Sequence, residues 1–219
     1  MPVIAAVFDA FGTTVQIKCK RHPFRKLLRI GTQHGRKPNA GDLHRLMTSS
    51  LGLQDAAELF GISLSAHQLR SLQDDLDEEL ESISVYPDAI EGIRLLKAEG
   101  LAVGICSNLA MPYGPVLRNL LGDVDGFALS YELGVMKPNH EIYREVCHQL
   151  GVRGELDTNA SGGRIVMIGD SQLCDRDGPD AIGMCGYYLD RSGNKAVSNL
   201  VEFAELVLRH EHSDDGVLR

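Results

Sequence analysis

Apolar positions in this chain follow two rhythms. Val3–Phe8 is an unbroken apolar run, the pattern of a strand buried on both faces. It stops at Asp9, and Phe11, Gly12, Thr13 and Thr14 follow. For about seventy residues the spacing is then helical. Phe24, Leu27 and Leu28 predict a first helix reaching toward Gln33, and Leu43, Leu46 and Met47 a second, with Asp42 near its start. Ala56, Leu59 and Phe60 predict a short third, ended near Gly61. Ser65 caps a longer one striped by Leu69, Leu72, Leu76, Leu80 and Ile83. Tyr86-Pro87-Asp88 restarts an alternation of strands and helices. Its expected strands are Leu101–Cys106, Gly126–Leu129, Ile165–Ile168 and Gly186–Leu189. Its expected helices are Pro87–Ala98, Pro115–Leu121, His140–Leu150, Pro179–Met184 and Ser198–Arg209. Tyr131–Lys137 and the polar, glycine-rich Arg153–Gly163 read as loops.

Strands alternating with helices imply parallel pairing with right-handed crossovers. The expected fold is α/β: a Rossmann-like, doubly wound parallel sheet with a small helical unit inserted after the first strand. Residues 1–15 and 85–210 would form the core, 16–84 the insertion and 211–219 a flexible tail. Three strands end in polar signatures, at Asp9, at Ser107-Asn108 and at Gly169-Asp170. In a doubly wound sheet such ends share one rim, where ligands bind.

The 219 residues suffice for one large domain with an insertion, and the hydrophobic (43%) and charged (24%) fractions are ordinary for a globular protein. A formal net charge of -8 argues against nucleic acid as partner. No apolar run is long enough for a membrane span, and the N-terminal one is too short for an export signal and is broken by Asp9. Cys19, Cys106, Cys147, Cys174 and Cys185 have neither framework nor zinc-site spacing, so reduced thiols in a cytoplasmic protein are expected. The insertion is polarised. Its first half carries Lys18, Lys20, Arg21, Arg25, Lys26, Arg29, Arg36, Lys37 and Arg45 against Asp42 alone, and Asp55–Glu81 carries eight acids against one base, Arg70. Two helix faces attracting each other across a bundle explain this; so does a basic lid over an anionic ligand. The run Asp74–Glu81 reads as a solvated face.

A carboxylate that attacks a phosphoryl group needs a cation to offset anion repulsion. Mg²⁺ takes a few carboxylate oxygens, and Asp9, Asp170 and Asp175 are candidates. Lys137 offers fixed positive charge; the Ser107 hydroxyl and nearby loop amides can hold phosphoryl oxygens. Singly, each has a structural alternative: strand end, helix cap or surface lysine.

Together, in this order, they resemble the haloacid dehalogenase-like (HAD) hydrolase superfamily. The matching stretches are FDAFGT (Phe8–Thr13), ICSN (Ile105–Asn108), GVMKPNHEIY (Gly134–Tyr143) and IGDSQLCDRDG (Ile168–Gly178). The insertion resembles the family's C1-type cap. The resemblance implies a covalent intermediate on Asp9. It implies Lys137 as the second catalytic residue, with Mg²⁺ held by Asp9, the Phe11 carbonyl, Asp170 and Asp175. Gly12, Thr13, Ser107 and Asn108 would surround the transferred group of a small anionic substrate, and the protein would be a monomer or homodimer.

Phe11 departs from the phosphatase pattern, which has there a second Asp that protonates the leaving group. Phe11 cannot move a proton, a loss of about 10²–10⁴-fold in general acid–base help. An aromatic residue there resembles the 2-haloacid dehalogenases, which need no metal. Arg36 lies roughly where they carry an arginine for the substrate carboxylate, and Tyr143 matches a position common to both types. Asp170 points the other way, because dehalogenases usually have Ser there. The expected function is a Mg²⁺-dependent phosphatase acting on a small phosphorylated metabolite. The alternatives are a metal-independent 2-haloacid dehalogenase and a near-inactive ligand-binding protein of the same fold.

Overall fold

The computed structural model describes residues 1–152, 163–193 and 197–214, with side chains to Arg209. The expected loop Arg153–Gly163 thus lies, apart from Gly163, outside the described residues, as does the end of the tail. Five parallel strands make the sheet. They are β1 (Val3–Phe8), β4 (Ala102–Ser107), β5 (Gly126–Leu129), β6 (Arg164–Gly169) and β7 (Cys185–Tyr188), in spatial order β5-β4-β1-β6-β7. The chain moves outward from β1 through β4 to β5, then returns to the other side of β1 with β6. The direction of winding therefore reverses at β1, and a crevice opens at its carboxyl end.

Alternate β1 side chains enter two apolar layers, which explains the continuous apolar run. Ala6 and Phe8 face one layer with α5 (Pro87–Ala98) and α10 (Leu200–Asp214); Ala5 and Val7 face another with α8 (His140–Gln149). Phe203 of α10 meets Phe8 edge to face at 5.6 Å. The remaining core helices are α6 (Tyr113–Leu120) and the short α7 (Ser130–Leu133) and α9 (Gly178–Asp180). Where a helix over Pro179–Met184 was expected, the chain first makes a π-helical turn, Gln172–Asp177, and α9 adds one short turn. The last helix also runs beyond the expected Arg209.

The insertion holds the four expected helices, α1 (Pro23–Gln33), α2 (Asp42–Met47), α3 (Leu53–Leu59) and α4 (Ala66–Glu81). Ser65 caps α4 in a capping box with Gln68, as its sequence pattern requires. The insertion's two stems pair as a short antiparallel ribbon, β2 (Val15–Ile17) with β3 (Ile83–Val85). Ile83, expected to extend the α4 stripe, belongs to that ribbon. The polarised charges meet partly as cross-bundle pairs: Arg21 with Glu78, and Lys26 with Asp75 at 2.6 Å. Glu79 corrects the reading of Asp74–Glu81 as a solvated face. It lies three residues after Leu76, on the apolar stripe, and is only 3% exposed. Among the described residues, no helix is long and apolar enough to cross a membrane.

Candidate active site

The strand ends bring the expected residues together. Asp9 leaves β1 with its amide donated to the Ile168 carbonyl of β6 (3.0 Å), so its side chain stands at the crevice. Its Oδ1 accepts from Ser107 Oγ (3.0 Å) and from Lys137 Nζ (2.8 Å). Among the described residues its Oδ2 has only the Thr13 hydroxyl, at 3.5 Å. One carboxylate oxygen is therefore anchored and the other nearly free, the arrangement a nucleophile needs.

Lys137 bridges Asp9 and Asp175, reaching the latter at 2.6 Å. Burial opposes the charge on its ammonium, but the two carboxylates outweigh that cost and hold its pKa well above the usual lysine value. Burial pushes the Asp175 carboxyl up against the pull of Lys137. Asp175 is turned inward by the π-helical turn and accepts the Ser171 amide (2.9 Å). Tyr143 fastens that turn from outside, donating to the Cys174 carbonyl at 2.6 Å. Gly169 has no room for a side chain: a Cβ there would meet the Asp175 carboxylate at 2.2 Å.

Asp170 completes a cluster in which oxygens of Asp9, Asp170 and Asp175 lie within 4.8 Å of one another. Its side chain reaches solvent, yet the protein packed around it, and then the charges of Asp9 and Asp175, push its pKa up to about 6. Gly12 makes this closeness possible. It has φ +83°, and a Cβ would stand 2.0 Å from an Asp170 oxygen.

Two expected binding residues have other partners. The Asn108 side chain is spent on the Lys137 backbone, donating to its carbonyl (3.0 Å) and accepting from its amide (2.7 Å). It thus positions Lys137. Arg36 is engaged within the insertion, in a two-pronged pair with Asp42 (2.8 and 2.5 Å) and a bond to the Phe60 carbonyl. It faces a separate depression with Pro38, Asn39 and Leu43, so the structure does not bring it to the site.

Other supporting residues gave no signal in the sequence. Arg191, beyond β7, clamps the loop after Asp9 by donating to the carbonyls of Gly12 (3.1 Å) and Thr13 (2.5 Å). It also pairs with Asp88 (3.0 Å) and stacks on Tyr86. The insertion is tied down by Tyr113, which donates to Glu79 (2.6 Å), and by Ser130, which donates to the Met47 carbonyl (2.6 Å). Phe11 meets Tyr113 edge to face at 5.7 Å. Its ring forms part of the floor of a cavity of about 590 Å³ between core and insertion, walled by Phe24, Leu28, Leu43, Leu46 and Met47.

The model of the haloacid dehalogenase-like hydrolase family matches residues 4–178. The chain is 26% identical over 171 residues to (S)-2-haloacid dehalogenase 1 of Pseudomonas sp. (strain CBS-3), covering 69% of this chain and 73% of that protein. Among solved structures it resembles a HAD phosphatase from Thermococcus onnurineus, with TM-score 0.64, 20% identity and coverage of 94% and 98%. It also resembles a HAD family enzyme of Bacteroides thetaiotaomicron in a magnesium complex, with TM-score 0.58, 17% identity and coverage of 86% and 93%.

Proposed function

The chain belongs to the haloacid dehalogenase-like hydrolase family, and from that premise we propose that it is a Mg²⁺-dependent phosphatase with Asp9 as nucleophile and a C1-type cap. The observation that carries the reading is the charge count on the rim. Three carboxylates lie within 4.8 Å of one another and the lysine that bridges two of them supplies one positive charge. The remaining charge of about two negatives, opened to solvent at Asp170, fits a divalent cation. Asp9, the Phe11 carbonyl and Asp170 would hold Mg²⁺, with Asp175 behind them. Bound there, it supplies the neutralisation that lets one anion approach another.

The protein's own groups do the rest. Lys137 and Ser107 hold Asp9 Oδ1, which aims Oδ2 at the phosphorus. Attack forms an aspartyl phosphate as the P–O bond to the leaving group breaks, and the departing alkoxide or phenoxide takes its proton from solvent; water then attacks the phosphorus, releasing phosphate and restoring Asp9. Thr13 stands beside the attacking oxygen, where its hydroxyl can meet the transferred group. Phe11 gives no proton to the leaving oxygen, so esters of acidic alcohols and phenols are favoured.

The second reading, 2-haloacid dehalogenation, has support from Phe11 and from the 26%-identical relative. Against it stands Asp170, whose uncompensated carboxylate would oppose a metal-free Asp9 nucleophile. The deciding experiment measures phosphate release from 4-nitrophenyl phosphate and chloride release from 2-chloropropionate, each with Mg²⁺ and with EDTA. Metal-dependent phosphate release that disappears in Asp9→Asn supports the phosphatase. Chloride release unaffected by EDTA overturns it.

A further inference from the structure

We infer that the cap–core cavity selects substrates with an apolar body and a second anionic group directed at Arg25; this rests on the phosphatase reading for the scissile end. The first observation is chemical character. Phe24, Leu28, Leu43, Leu46 and Met47 on the cap face Phe11, Leu109 and Tyr113 on the core. A sugar in such walls would leave its hydroxyls without partners, at a cost of roughly 1–3 kcal/mol for each. An aromatic or branched aliphatic body loses nothing there.

The second observation is size. About 590 Å³ falls in the range that holds ligands much larger than a two- or three-carbon acid. Phe11 and Asn108 are shared between the cavity and the Asp9 site, so the cavity adjoins the reacting end.

The third is charge. On the cap side the cavity reaches His22 and Arg25, which it shares with a smaller depression of about 390 Å³ lined also by Arg21, Lys26 and Arg29. Arg21 pairs with Glu78 and Lys26 with Asp75, whereas no described acid pairs with Arg25 or Arg29. These two lie four residues apart on one face of α1. Glu79 also borders the cavity, but its carboxylate is taken by Tyr113 and by the amides of Arg21 and His22. The unpaired positive charge there belongs to Arg25 and its neighbour, and it suits a carboxylate, sulfonate or phosphate.

The test separates this inference from the phosphatase reading. Binding of 8-anilinonaphthalene-1-sulfonate, an apolar body with one anion, is followed by fluorescence on the full chain. The variants are Arg25→Gln and Leu43→Gln; Arg25 is exposed and Leu43 is 55% exposed, so both leave the core packing intact. One probe per chain is expected, with each variant weakening it about fivefold or more. In parallel, 4-carboxyphenyl phosphate should exceed phenyl phosphate in kcat/KM, and phenyl phosphate should exceed glycerol phosphate. If both variants bind the probe as wild type does, the inference is overturned, whatever is hydrolysed. If probe binding responds as expected but no ester releases phosphate, the phosphatase reading falls and the binding preference stands.

Discussion

Restoring the missing acid tests the chemistry most directly. In Phe11→Asp the new carboxyl replaces a half-buried ring that meets Tyr113 edge to face at 5.7 Å. Loss of the ring pair costs about 0.5–1.5 kcal/mol, and loss of apolar burial raises the total to about 2–3 kcal/mol. For a chain of this length each kcal/mol lowers Tm by about 2–4 °C, so the variant should melt roughly 4–12 °C lower and still fold at 25 °C. The kinetic effect runs the other way. Position 11 lies beside Asp9 and faces the cavity, so an acid there can protonate a departing alkoxide. For an alkyl phosphate the expected gain is about 10²-fold or more in kcat. For 4-nitrophenyl phosphate, whose leaving group departs without a proton, it is less than about tenfold. Phosphate release from the two esters, measured side by side with saturating Mg²⁺, gives the ratio. A folded Phe11→Asp protein in which both rates move together would falsify the assignment of position 11 as the missing proton donor.

Arg191→Ala frees the carbonyls of Gly12 and Thr13 and leaves Asp88 with the Leu200 amide but no cation, so it should cost about 2–3 kcal/mol in denaturant unfolding and lower kcat. Arg191→Lys should recover little, because an ammonium cannot reproduce the fork; full recovery would refute the clamp. Tyr113→Phe keeps the ring contact with Phe11 but removes a donor from buried Glu79, and should lower stability by about 1–2 kcal/mol. An unchanged urea midpoint would count against that tie. Asp170 gives a pH dependence with a definite sign. Its pKa near 6 lies above its unfolded value, so the metal-free protein loses this group's stabilisation as pH rises from about 4 to 6. On the proposed function, the same proton would compete with Mg²⁺. Calorimetric affinity should therefore fall by up to about tenfold per unit below pH 6, and a flat profile between pH 5 and 7.5 would dismiss Asp170 as a ligand.

What the sequence discloses depends on whether a residue's partner is local or distant. β1 was legible because burial on both faces leaves an unbroken apolar run, and α4 because its cap and stripe lie within one segment. Asp9, Ser107 and Asp170 could be found because parallel strands must deliver their ends to one rim, whereas Lys137 and Asp175 lie on the segments beyond those ends and were marked by their charge and by the motif resemblance. Arg191 could not, since its partners lie more than a hundred residues away and nothing near it marks a clamp. Glu79 was hidden for another reason: its acidic neighbours describe the solvent side of α4, while its own position lies on the apolar stripe. Asn108 lies in the expected crevice, but its amide is spent on the Lys137 backbone, a pairing that nothing in the sequence marks. Arg36 shows that a charge at about the right place in the chain can already be satisfied by a neighbour such as Asp42.

Phe11 joins the two halves of the functional argument. As a sequence departure it subtracts a proton donor from the reaction. In the structure the same ring helps floor an apolar cavity and braces Tyr113, which in turn holds Glu79 and the cap. An Asp here would add a fourth carboxylate to a rim that already holds three and would take an apolar ring from the cavity floor. The aromatic residue is therefore consistent with its surroundings and not a lone lost function. A site that cannot donate a proton suits leaving groups that depart as stable anions, and phenols and acidic alcohols of apolar body are the ones this cavity would admit. Leaving-group acidity and apolar fit should accordingly rise together across a substrate series. A series in which glycerol phosphate matches phenyl phosphate would break that link, because it pairs a poor leaving group with a polar body.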